Sequence, residues 1–371
     1  MYNKAKDKII CIQGLKGFGA FIIAFVWHYH HFAPQEGLPL YRFLAPFYNY
    51  GDRLVEVFFL LSGFCIAYGY EEKIQEGRIG FTKFIWNSVK KLFPPMWIAL
   101  FVTLLLQCII LHKTGTTFIY PNLDVYHFLL NLLGLQNGVL ELGWSYNGPT
   151  WYISVLLCCY GVYFVCVDRC KEKEYLIFRY IALALLGVII ILLEQNLPVI
   201  NSLIGRGVSC FFLGSLLAKL YENKHRFFAL RIGIISVFFL VIVWGLMKCF
   251  GIAVLGNFQL AVILGIAPAV VLSILFVPVL RKLFSFPVFT YLGKHSLSIY
   301  LWHFPIQCLW KVVEALCGFE FNYSESVIWG LYIISVLVLV YIYDKLVGEK
   351  SSSIFRLIIR EENTDKMWSK N

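Results

Sequence analysis

About ten separate stretches of this chain stay apolar for close to twenty residues each, and that repetition constrains the fold more than any single motif. A helix needs about 20 mostly apolar residues to cross the hydrocarbon core of a bilayer. Windows of that kind fall at roughly 9–29, 54–70, 94–112, 149–167, 175–193, 202–220, 232–250, 258–278, 291–312 and 325–344. In lipid every backbone polar group must be satisfied internally, and segments of this length do so as helices. The chain therefore reads as all-α, a polytopic membrane helix bundle with about ten transmembrane helices. Composition excludes a soluble alternative: with 59% hydrophobic and 15% charged residues, 371 residues hold too few polar side chains to cover a globule.

An even number of spans puts both termini on one side, and the charged flanks say which. With a cytoplasmic N-terminus, the inner segments hold Lys4, Lys6 and Lys8; Lys73, Arg78, Lys83, Lys90 and Lys91; Arg169, Lys171 and Lys173; Lys219, Lys224, Arg226 and Arg231; Arg281 and Lys282; and the basic residues after Asp344. Arg42, Arg53, Lys113, Arg206, Lys248 and Lys311 take the outer loops and outer helix ends. This is the positive-inside bias, and it places both termini in the cytoplasm. The net charge of +10 is then a consequence of topology; spread along the chain, it calls for no nucleic-acid partner.

The first run opens basic then apolar, like a secretory signal. Gln13 and Lys16 interrupt it and Trp27 to His31 offers no small-residue cleavage site, so it is expected to remain as the first span. Most of the 11 cysteines lie inside the windows and read as small apolar residues rather than disulfides or a metal framework. The organisation is one membrane domain, 1–348, and a short charged cytoplasmic tail, 349–371. Two outer segments are long, 33–53 and 113–148. The second carries "VYHFLLNLLGLQ", too short to span and expected to lie in or dip into the interface, as part of a lid or binding surface.

Polar residues at membrane depth are costly and usually face the bundle interior or a wet cavity. They gather in the first span (Lys16, and His28 in "FVWHYHHF"), in the second ("LVEVFFLLSGF", with Glu56 and Ser62), before the third ("VKKLFPPMW"), at the fourth ("GPTWYISVLL", with Trp151 and Ser154) and in the ninth ("YLGKHSLSIYLWHFPI", with Lys294, His295 and His303). Together with "RGVSCFFLGSLLA" in the sixth span, and "LKG" followed by an apolar run and His in the first, these motifs resemble the acyltransferase type 3 family of membrane-embedded acyltransferases. The resemblance runs in the family's order over nearly the whole chain. It implies transfer of an acyl group, usually acetyl from acetyl-CoA, to a hydroxyl of a surface polysaccharide or glycolipid at a bacterial plasma membrane, with a first-span His as the catalytic base.

Three positions depart from that pattern. The family has Arg, ten residues, then His; here Lys16 and His28 are separated by eleven, which on an ideal helix leaves them about 120° apart unless a local bulge realigns them. Ser88 and Lys91, with Lys90 added, stand where two arginines three apart are usual. Leu156 stands where many members have Glu.

The residues' own chemistry agrees. Acyl transfer from a thioester to a hydroxyl needs a base for the hydroxyl proton, and an imidazole suits it. His28 is the candidate. Glu56, if it faces the same cavity, could fix the imidazole tautomer or stabilise its cation. Lys16, about 18 Å nearer the cytoplasm, could meet a phosphate or the carbonyl region of CoA, and Lys90 and Lys91 wait at the inner surface for the charged donor. Plainer roles stand beside each: His28 as an interfacial helix-end residue, Glu56 as a structural carboxylate, Lys16 as a snorkelling side chain, Lys90 and Lys91 as topology anchors, His303 as a structural residue ahead of Pro305. On an ideal helix His30 lies about 200° and His31 about 60° from His28, so at most one is expected to share its cavity. A zinc site from His28 and His31 lacks further ligands at metal-like spacing, and no metal is expected. The alternative from another class is a carrier or flippase of a lipid-linked sugar, which would favour inverted repeats that this chain does not display.

Overall fold

The computed structural model describes residues 9–34, 37–140, 143–222, 226–251 and 256–346. The tail expected at 349–371 lies outside them. Regular structure among the described residues is helical, and β pairing is confined to two isolated bridges. The first span runs through α1 (Ile10–Phe21), a π-helical stretch (Ile22–Trp27) and a 3₁₀ turn (His28–His31). Then follow α2 (Tyr41–Tyr50), α3 (Leu54–Gln75), α4 (Phe81–Thr114), α5 (Val125–Leu133), α6 (Trp151–Val167), α7 (Lys173–Leu192) and α8 (Ser202–Glu222). The remainder comprises α9 (Arg226–Phe250), α10 (Phe258–Ala261), α11 (Ala267–Phe276), α12 (Pro278–Phe284), α13 (Pro287–Lys294), α14 (Ser296–Cys317) and α15 (Ser326–Leu346).

Nine helical segments among the described residues are long and apolar enough to cross a bilayer. They match nine of the windows expected from the sequence. The other window, 291–312, falls on α13 and α14. Helix α14 has 22 residues, but His303, Gln307, Lys311 and Glu314 make it too polar for that set, and His303 and Gln307 are completely buried. Its first half is buried among neighbouring helices, while Leu309, Val313 and Leu316 toward its far end are exposed, and at 22 residues it is long enough to cross as an interior span.

Glycines in the sequence motifs explain how the helices close up. In lipid, helices associate by packing, and small residues let backbones approach. A Cβ on Gly63 of "LLSGF" would lie 1.8 Å from the Phe211 carbonyl oxygen, and one on Gly214 of "FFLGS" 1.9 Å from that of Leu60, so α3 and α8 touch backbone to backbone. Gly17 of "LKG" and Gly293 of "LGK" do the same between α1 and α13: a Cβ on Gly293 would meet the Gln13 carbonyl oxygen at 1.8 Å. Motifs far apart in the chain are thus paired in space.

The outer segment 113–148 contains α5, nine residues long and about 14 Å at 1.5 Å per residue, too short to span. Asp124 caps it through the His127 backbone N–H at 3.0 Å; that bond and the one from the His127 ring hold the Asp124 carboxyl below its usual range. Val125, Tyr126, Leu129 and Leu133 are exposed on one side, while the Trp97 indole of α4 donates to the Leu132 carbonyl at 2.7 Å. The helix lies along α4 with an apolar face outward, as an interfacial segment should.

Candidate active site

The first span changes helix type where its histidines begin. A π turn (i→i+5) inserts one extra residue into an α-helix. Across Ile22–Trp27 it reduces the twelve-residue step from Lys16 to His28 to eleven effective steps, and the angle between them from about 120° to about 20°. The chain's one-residue departure from the family spacing is absorbed there. Backbone carbonyls opened by this stretch find donors on α15: Tyr332 donates its hydroxyl to Ala24 at 3.2 Å and Trp329 its indole N–H to Phe25 at 2.6 Å. The following turn tightens to 3₁₀, in which residues three apart eclipse, so His31 lies beside His28 with ring centroids 5.0 Å apart and planes tilted by 36°.

A cavity of about 360 Å³ surrounds this turn. His28, His30 and His31 all line it, which corrects the expectation that at most one neighbour would share it. The ideal-helix angles fail because the helix has changed type and because the cavity wraps the end of the span. The lining also includes Trp144, Trp151, Arg206 and Tyr300, with Asp52 from the 3₁₀ turn Gly51–Arg53 and Val55 from the start of α3.

Two interior residues of α14 hold the imidazoles. His28 Nδ1 and His303 Nε2 are 2.8 Å apart, with the rings nearly parallel at 11°. Gln307 donates from Nε2 to the His28 carbonyl at 2.7 Å, and its Oε1 is 2.9 Å from His31 Nδ1. His30 Nδ1 turns back to the Trp27 carbonyl. Above the cavity α14 continues for about 21 Å beyond His303. There Lys311 pairs with Glu314 at 2.8 Å and lies over the rings of Tyr323, Phe32 and Phe118. Gln107 of α4 brackets the backbone of Phe118, accepting its N–H at 2.9 Å and donating to its carbonyl at 2.8 Å. The outer segments are thereby fastened over the site.

Glu56 is completely buried. Arg206 donates to both of its oxygens, from Nε at 2.8 Å and Nη2 at 3.2 Å, and lays its guanidinium over the Trp151 ring at 5.3 Å. Sequence reasoning paired Glu56 with His28; the structure pairs Glu56 with Arg206, and His28 with His303. Arg206, read from the sequence as an outer flanking charge, is 11% exposed in this buried pair. The other basic residues named as donor contacts stand apart from the cavity lining. Lys16 reaches the Cys65 thiol of α3 at 3.6 Å, Lys90 lies over Trp86 at 5.4 Å, and Lys91 is exposed on α4. Sequence reasoning left Arg206 and Gln307 without a role and gave His303 a structural one. The signal available was their place in "RGVSCFFLGSLLA" and "YLWHFPIQ".

A family model described as an acyltransferase domain matches residues 9–345, nearly the whole chain. The chain belongs to the acyltransferase type 3 family. Neither a curated protein nor a solved structure matches it. This acyltransferase is thus a membrane enzyme by family and by architecture, and its cavity offers the parts such chemistry needs: imidazoles with one nitrogen engaged by the protein, and a cation held in place by a carboxylate.

Proposed function

We propose that this acyltransferase moves an acyl group, acetyl by the family's habit, from acetyl-CoA supplied at the cytoplasmic face to a hydroxyl of a cell-surface polysaccharide or glycolipid. The observation that carries this reading is the cavity at the end of the first span, where His28, engaged at Nδ1 by His303, faces the same space as Arg206.

In this mechanism His28 is the general base. With the proton of the imidazole pair on His28 Nδ1, donating to His303 Nε2, His28 Nε2 keeps the lone pair that a base requires. The acceptor's oxygen attacks the thioester carbonyl while its proton passes to Nε2. The carbonyl oxygen becomes an oxyanion, and Arg206, whose Nε and Nη2 are taken by Glu56, presents Nη1 to it. Collapse breaks the carbon–sulfur bond, and the proton on His28 is returned to the departing thiolate of CoA. Glu56 serves by aiming the guanidinium. Lys16, on the same side of the first span as His28, and Lys90 and Lys91 toward the cytoplasmic end, attract the anionic donor, with both termini in the cytoplasm.

The test is transfer of label from acyl-labelled acetyl-CoA to candidate glycans by the purified protein in proteoliposomes. Label on a glycan is expected. Glycan carried across the vesicle wall without label would refute the transferase reading and favour a carrier.

A further inference from the structure

The hydrogen bonds of Gln307 fix one tautomer in the cavity from the backbone outward. A backbone carbonyl can only accept, so the group of Gln307 that faces the His28 carbonyl at 2.7 Å is the amide N–H₂. That leaves the amide oxygen toward His31 Nδ1 at 2.9 Å. An amide oxygen can only accept, so His31 Nδ1 carries the proton and His31 Nε2 is a lone pair. Gln307 is completely buried, which makes loss of this arrangement costly, while His31 itself lines the cavity. Of the three imidazoles in the lining, His28 and His31 stand one 3₁₀ turn apart with ring centroids 5.0 Å from each other, while His30 turns its Nδ1 back to the Trp27 carbonyl. One attacking hydroxyl needs only one base. A second acceptor so near the first suits a second hydroxyl on the same ring of the acceptor.

We infer that His31 is a specificity-determining residue: its Nε2 accepts a hydrogen bond from the hydroxyl adjacent to the one acylated, so the acceptor presents a vicinal diol. This rests on the acyl-transfer reading above. It assigns the choice of hydroxyl to the pair of imidazoles, His28 taking the proton of the reacting oxygen and His31 holding its neighbour.

Two measurements test it. In the first, kcat/KM is compared for methyl hexopyranosides and their monodeoxy analogues, with labelled acetyl-CoA as donor. The wild type is expected to favour the diol by about fivefold or more, the value of a hydrogen bond to a neutral partner. His31→Ala should bring that ratio near one, and His31→Gln, which restores an acceptor oxygen, should recover part of it. Each ratio is taken on one protein sample, so a change in folded fraction cancels. An unchanged ratio in His31→Ala overturns the inference. The second is ¹⁵N imidazole NMR of the protein without substrate, with the His31 signal assigned by its loss in His31→Gln. Protonation at Nδ1 alone is expected, and a mixture of tautomers in Gln307→Leu. An Nε2-protonated or doubly protonated His31 in the wild type overturns the inference. A wild type that labels no glycoside would overturn the transferase reading itself, a failure that the substrate-free spectrum keeps distinct from this one.

Discussion

Removing the charge of Glu56 should unbalance Arg206 by an amount that the structure allows to be worked out. The carboxylate is completely buried and takes two charge-assisted bonds from Arg206, at 2.8 and 3.2 Å. Breaking such a pair by removing one partner costs about 3–5 kcal/mol, because the other charge is left buried. Arg206 retains 11% exposure toward the cavity, so the lower end applies, about 3 kcal/mol, or about 10² in an equilibrium constant. Glu56→Gln should show this loss; Arg206→Gln leaves a completely buried carboxylate with Arg53 at 3.8 Å as its remaining cation and should cost at least as much. The double variant, which removes both charges of the pair and leaves Arg53 with Asp52 at 3.5 Å, should cost about 2 kcal/mol less than the sum of the two. The assay is equilibrium unfolding in mixed micelles titrated with SDS, with transfer activity measured per folded molecule. Both single variants should also lose about 10²–10³ in turnover, as for a displaced oxyanion donor. Single-variant costs that add within about 0.5 kcal/mol would refute the coupling. A dead Glu56→Gln beside an active Arg206→Gln would give Glu56 a direct part in the chemistry.

His28→Ala should lower acyl transfer by about 10²–10⁴ while the protein still inserts and still binds CoA; near-normal turnover beside a dead His31→Ala would move the base one turn outward. A reporter fused after Asn371 should be cytoplasmic, and a cysteine placed within 113–148 should react with an impermeant label from outside, so an extracellular C-terminus would break the assigned topology. Reversing charge at Lys90 and Lys91 together should weaken acetyl-CoA binding more at low salt than at high salt, because sites near water are screened; unchanged binding at low salt would leave them as topology anchors.

Hydropathy showed the spans because lipid demands long apolar runs, and it located His28 because a polar residue at that depth is conspicuous. It left the place of α14 among the other helices unread: Gln307 and His303 are buried among helices, and no window average distinguishes protein from hydrocarbon. The partner of Glu56 was hidden by position. Arg206 stands near the start of α8, where a loop charge would also stand, and only the packing of α3 on α8 through Gly63 and Gly214 brings it to the carboxylate. The histidine register was beyond reach for another reason. Ideal-helix angles presuppose one helix type, and the first span uses three in 22 residues.

The π stretch ties the beginning of this chain to a helix made some three hundred residues later. The carbonyls of Ala24 and Phe25 depend on Tyr332 and Trp329, and hydrocarbon supplies no substitute donor. Synthesis proceeds from the N-terminus, so a nascent chain with every helix before α15 already made still holds His28 on an unfinished frame. Acyl transfer then begins only after α15 has followed, and a ribosome that stalls before Trp329 leaves behind a membrane protein with no working enzyme in it.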